Sequence, residues 1–72
     1  MYTYKFNNTC KCDLFYYRSR SGLSQTELAK KCNTSQATIS SLENGTYSCT
    51  ITLALLISKV LDVPVSDLFY LV

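Results

Sequence analysis

The side chains able to do chemistry are few and unevenly placed. The 72-residue chain has no histidine, four cysteines, two glycines, and a net charge of +2 from seven Lys and Arg against five Asp and Glu. No glycine-rich loop is available to cradle a phosphate and no element carries paired carboxylates, so the chain is not expected to be an enzyme. Cys10-Lys11-Cys12 invites a metal or redox reading. Without histidine, and with Cys32 at an inward position, a four-ligand zinc site does not assemble, and no metal or other cofactor is expected. Only Lys11 stands near enough to depress a thiol pKa, so Cys10, Cys12, Cys32 and Cys49 read first as small hydrophobes. What remains is a group of amides and hydroxyls between residues 24 and 44.

Those polar groups need a scaffold, and the composition supplies one. With 47% apolar and 17% charged residues, the chain is too hydrophobic to stay disordered. A domain this short buries only roughly 60% of the surface its unfolded chain exposes, which makes oligomerisation an early question. The longest apolar run, Leu53-Ala54-Leu55-Leu56-Ile57, falls far short of the roughly 20 residues that span a bilayer. No membrane partner is expected. The first ten residues lack the apolar block and cleavage site of a secretory signal, so the expected location is cytoplasmic with reduced thiols.

Tyr2, Tyr4 and Phe6 alternate with Thr3 and Lys5, the pattern of a short strand over residues 2–6. Residues 10–20 then read as a helix, with Leu14 and Tyr17 inward and Ser21-Gly22 closing it. A capping box follows: Ser24 is the N-cap, Glu27 stands three residues on, and Leu23 and Leu28 form a hydrophobic staple. This predicts a helix over 24–32, closed by Asn33, a residue that tolerates left-handed backbone. Ser35 caps a second helix over 35–43, which ends at Asn44-Gly45. Leu28, Ala29, Cys32, Ile39 and Leu42 point inward. Two such short helices joined by Asn33-Thr34 must cross steeply. Thr50 caps a further helix over 51–61, Asp62-Val63-Pro64 breaks the chain, and a last short helix runs from about residue 65 to 69. The uncharged end, Phe69-Tyr70-Leu71-Val72, is expected to be pinned with residues 2–6 by strand pairing or by a second subunit.

The stretch LSQTELAKKCNTSQATISSLENG, residues 23–45, resembles the Cro and phage-repressor type of helix-turn-helix domain, the xenobiotic-response-element (XRE) family of regulators. The resemblance runs from Leu14 to Phe69 and includes Gln25, Leu28-Ala29, Ile39, Glu43-Asn44-Gly45, Leu61, Val63 and Leu68-Phe69. It implies a compact all-α, five-helix, lambda-repressor-like domain over residues 1–72, with room for terminal strands at 2–6 and 69–72. It also implies double-stranded DNA as partner and a bacterial or phage origin. The sequence departs from the family at Asn33 and Asp62, which replace helix-closing glycines, and at Cys49, which replaces a proline. Asn and Asp are the non-glycine residues least penalised at positive φ. The second motif helix, moreover, carries no basic residue.

By position in that motif, Gln36, Ala37, Ser40 and Ser41 are the expected base-reading residues. A glutamine amide both donates and accepts, which matches adenine N6 and N7, and an alanine methyl packs on a thymine methyl. Gln25, Ser35, Thr38, Asn44 and Lys30 are the expected phosphate contacts; for Ser35 and Asn44, simple capping is an equal reading. The resemblance further implies an ion pair between Arg18 and Glu43.

At about 100° per residue, Ile51, Ala54, Leu55, Ser58 and Leu61 form one face of the fourth helix, the one the resemblance assigns to the core. Leu53, Leu56, Ile57 and Val60 form nearly the opposite face. Either the terminal segments cover that second face, or it builds a homodimer interface from Leu53, Leu56, Val60, Phe69 and Leu71. The functional expectation is a sequence-specific transcriptional regulator, a dimeric repressor reading an inverted repeat through the major groove. The uncharged recognition helix keeps a rival open, a protein-binding module of antitoxin or antirepressor type on the same scaffold.

Overall fold

The computed structural model describes residues 10–45 and 49–71. A short strand β1 (Cys10–Cys12) leads into helices α1 (Leu14–Ser21), α2 (Gln25–Lys31), α3 (Gln36–Glu43), α4 (Ile51–Leu61) and α5 (Val65–Leu68), and the described chain ends in strand β2 (Phe69–Leu71). The strand expected over residues 2–6 lies outside the described residues.

Local signals set most helix boundaries. At α2 the Ser24 hydroxyl accepts from Glu27 N at 3.0 Å, and Ser24 N donates to Glu27 Oε1 at 2.8 Å, which completes the capping box. Ser35 Oγ accepts from Thr38 N at 3.2 Å, and Thr50 Oγ1 accepts from Leu53 N at 3.2 Å, so α3 and α4 start at their expected caps. Two helices end on non-glycine left-handed residues, Asn33 (φ 58°) after α2 and Asp62 (φ 57°) after α4. In both, the next amide reaches back five residues, Thr34 N to Ala29 O at 2.9 Å and Val63 N to Ser58 O at 3.1 Å. That is the Schellman closure, reached here without glycine.

The first helix starts later than the sequence suggests. Cys10 and Cys12 belong to β1, which pairs antiparallel with β2 in the register Cys10↔Leu71, Lys11↔Tyr70, Cys12↔Phe69. Partners almost sixty residues away thus outweigh the local helical pattern, and the C-terminal segment is pinned by β1. Asp13 N donates to Leu68 O at 2.9 Å, and the Tyr70 hydroxyl donates to Asp13 Oδ1 at 3.1 Å, so the entry to α1 is tied to the chain's far end.

Leu14, Leu28, Ala29, Cys32, Ile39, Leu42, Leu53, Ile57 and Leu68 form the core, with Tyr17, Leu23, Leu56, Val60 and Phe69 packed around it. Burial pushes the Cys32 thiol up from its ordinary pKa, which keeps it protonated and inert. The inward positions expected for α2 and α3 are all in this cluster. On α4 the core draws from both faces: Ala54 of the expected face is buried and Leu61 packs on the core, but Leu53 and Ile57 of the opposite face are buried too, whereas Ile51 and Leu55 are 70% and 55% exposed. Leu53, expected at a subunit interface, is therefore interior to the chain itself, and Leu56 and Val60 are half-buried against the same core. Ser58 Oγ donates to Val63 O at 2.6 Å, which ties Ser58 to the turn into α5, and Ile57 shares the core with Leu68 of that helix.

Ile57→Ala should lower unfolding free energy by about 2–5 kcal/mol, whereas Leu55→Ala should change it by less than about 0.5 kcal/mol, both measured by urea denaturation. A second outcome concerns acid. The backbone bond from Ser24 holds the Glu27 carboxyl below its ordinary pKa. A depressed carboxylate pKa contributes stability that is fully present above the unfolded value and lost as pH falls through the folded one. Urea titrations across the acid range should accordingly show a shallower loss for Glu27→Gln than for the parent.

Candidate nucleic-acid interface

Capping fixes where α2 and α3 begin, and their crossing brings the first residues of both to one surface. Gln25 opens α2 and Gln36 opens α3. Their amides meet there, with Gln36 Nε2 donating to Gln25 Oε1 at 2.6 Å. Gln25 Nε2 in turn donates to Glu43 Oε1 at 2.9 Å. Glu43 sits at the end of α3 and receives Arg18 of α1 in a fork, Nε on Oε2 at 2.5 Å and Nη2 on Oε1 at 3.2 Å. The remaining Arg18 arm, Nη1, donates to Leu23 O at 2.9 Å across the α1–α2 turn.

This chain of bonds has a direction. A carboxylate only accepts, so Gln25 must turn its NH2 toward Glu43 and its carbonyl oxygen toward Gln36. Gln36 must then offer NH2 to Gln25. One N–H of Gln36 is thereby occupied, and its other N–H and its Oε1 are left to the surface. The Arg18 and Glu43 side chains are 12% and 5% exposed, and the hydrogen bond from Arg18 to Glu43 raises the guanidinium pKa further. Both ends are charged and paired, which is the only inexpensive way to bury them.

Gln36 and Ala37 are exposed on the first turn of α3, with Ser40 and Ser41 half-buried one turn later. Ser35 and Asn44 are exposed at the two ends of the helix. Thr38 is half-buried, its hydroxyl 2.9 Å from that of Ser35. Lys30 is exposed toward the far end of α2 and takes no part in the amide chain. The sequence reading treated Gln25 and Glu43 as members of separate sets; their bond was missed. Nothing in a spacing of 18 residues announces it, although an amide at a helix start facing an ion pair was a usable signal.

A family model described as helix-turn-helix matches residues 14–68. The chain belongs to the XRE-type helix-turn-helix family. An uncharacterised HTH-type transcriptional regulator of Methanocaldococcus jannaschii is 41% identical over 59 residues, covering 82% of this chain and 89% of the relative. Another, from Archaeoglobus fulgidus, is 40% identical over 53 residues, covering 74% and 76%. Among solved structures, the transcriptional regulator VanUg matches 100% of this chain and 97% of its own at a TM-score of 0.77, with 15% identity, a likeness of fold. The clp gene regulator ClgR from Corynebacterium glutamicum is 28% identical at a TM-score of 0.71 over 75% of this chain. The XRE-type chain spans 57% of that structure.

In this helix-turn-helix chain the Arg18–Glu43 pair locks α1 to the end of α3. Glu43→Ala strands Arg18 and should cost on the order of 3 kcal/mol in urea unfolding; a double replacement by methionines should restore most of it.

Proposed function

We propose that this XRE-type regulator represses transcription by binding duplex DNA as a symmetric pair, with α3 of each copy in the major groove of an inverted repeat. The observation that carries the reading is the 2.6 Å bond from Gln36 to Gln25 at the exposed start of α3. It leaves Gln36 one donor and one acceptor, the complement of adenine, whose major-groove edge offers N7 as acceptor and N6–H as donor. Guanine offers two acceptors and would find a single N–H. Ala37 beside it suits a thymine methyl, while Ser40 and Ser41 suit less selective contacts through hydroxyl or water.

Phosphate contacts fall to Gln25, Ser35, Thr38 and Asn44, with the backbone amides at the starts of α2 and α3, and to Lys30 as a mobile charge. One copy reads too few base pairs to find an operator among genomic competitors. Two copies about one helical turn apart multiply that discrimination. The second copy is supported by Ile51 and Leu55, large aliphatics one turn apart on α4 and exposed to water, with Leu71 66% exposed on β2. Leu56, Val60 and Phe69 are half-buried against the chain's own core and offer only their remaining exposed part to such a partner. A protein seated in the groove across a promoter excludes polymerase, hence repression.

Selection from a random duplex pool at near-physiological salt should recover an inverted repeat; recovery of no preferred sequence would sink the reading and favour a protein partner. Gln36→Ala should lose roughly 1–3 kcal/mol at one base pair per half-site, whereas Lys30→Ala should weaken all sequences alike and flatten the salt dependence. Leu55→Asp should leave the fold intact and give a monomer on light scattering.

A further inference from the structure

Asn44 and Gly45 combine features found nowhere else among the described residues. Asn44 is exposed at the C-terminal end of α3, at φ −85° and ψ −6°, and its side-chain amide makes no hydrogen bond among the described residues. The next residue has no side chain, and a Cβ placed there would meet nothing within 4 Å. A single hydrogen bond restrains that backbone amide, Gly45 N to Leu42 O at 3.1 Å, at a helix end where opening is easiest. The unhindered amide nitrogen of a glycine is the best backbone nucleophile for the side-chain carbonyl carbon of a preceding asparagine.

We propose that Asn44-Gly45 is a self-modifying junction, in which spontaneous deamidation of Asn44 permanently lowers DNA affinity. Once the last turn opens and Asn44 rotates away from its helical ψ, Gly45 N loses its proton to hydroxide and attacks Asn44 Cγ. The new N–Cγ bond forms, the Cγ–Nδ2 bond breaks, and ammonia leaves with a proton from water, giving a five-membered succinimide. Water then opens the ring at either carbonyl, giving aspartate or isoaspartate. Each event exchanges one amide and one water for one carboxylate and ammonium, with no oxidant or reductant.

The product is placed to matter. A carboxylate at residue 44 adds negative charge to the negative end of the α3 dipole, next to Glu43. It also stands where a phosphate contact is proposed, so attraction becomes repulsion; this consequence rests on the function proposed above, whereas the modification does not. Isoaspartate additionally inserts a methylene into the main chain at the end of α3. Bound duplex should hold the last turn closed and slow the reaction. Asn33 is an internal comparison, since Thr34 is β-branched and its amide is bonded to Ala29 O at 2.9 Å within a helix closure.

The test is incubation of the purified full chain in warm, mildly alkaline buffer, followed by intact mass and peptide mapping. Conversion at residue 44 rising in proportion to hydroxide, with Asn33 unchanged, is the expected result. An Asn44 that stays amidated while the urea-unfolded chain converts would overturn the proposal. For the consequence, Asn44→Asp should bind the selected duplex at least tenfold more weakly than the parent, and Asn44→Gln, which cannot readily form the ring, should keep both its mass and its own starting affinity unchanged through the incubation that ages the parent. Equal binding by Asn44→Asp and the parent overturns the loss of affinity. A parent that selects no duplex instead overturns the proposed function, and the mass data still judge the modification.

Discussion

The structure depends on a carboxylate that is almost out of water. Glu43 has a side chain only 5% exposed, and a charge so placed needs donors on both oxygens. Arg18 supplies two and Gln25 a third. Because these donors come from α1 and α2 while the carboxylate ends α3, satisfying one charge sets three helices in a fixed relation. The steep crossing of α2 and α3 follows from the short turn between them. Its exact rotation, and so the direction of the exposed start of α3, is a matter of where Glu43 finds its partners.

The same constraint converts electrostatics into hydrogen-bond polarity. An isolated glutamine side chain can rotate its amide half a turn at little cost, and it then offers donor and acceptor in either order. Gln36 is two bonds removed from an obligate acceptor, and each bond passes the ordering on. A surface amide is thus preset by a buried charge. Preset groups lose less entropy on binding, which favours selectivity without new contacts.

Much of this was legible in the sequence, and the failures have a common cause. The capping box at Ser24 and Glu27, the caps at Ser35 and Thr50, and the left-handed Asn33 and Asp62 are local chemistry, decided within five residues. The inward set on α2 and α3 was legible because polar residues mark their outer faces. On α4 almost every residue is apolar, so periodicity does not choose between Leu53 with Ile57 and Ile51 with Leu55; the choice is made by tertiary packing, in which Leu53 and Ile57 join the core with Leu68. Cys10–Cys12 was misread as helix because its partner is β2, at the far end of the described chain. The amide chain from Glu43 to Gln36 was hidden for the same reason. Each of its members was individually conspicuous, but their joining is a property of the helix crossing.

A recognition helix without a single Lys or Arg looks at first like evidence against DNA. Charge and selectivity are separate requirements, however. Phosphate attraction is sequence-independent and can come from anywhere on the face, including helix N-termini and Lys30. A cation on α3 would add affinity for every duplex alike, and beside Glu43 it would compete with Arg18 for the one buried acceptor. Excluding cations from α3 keeps the fork on Glu43 intact, and with it the ordering of Gln25 and Gln36. An uncharged α3 is then compatible with the buried pair, and under the proposed function it would leave discrimination to matched hydrogen bonds at two half-sites.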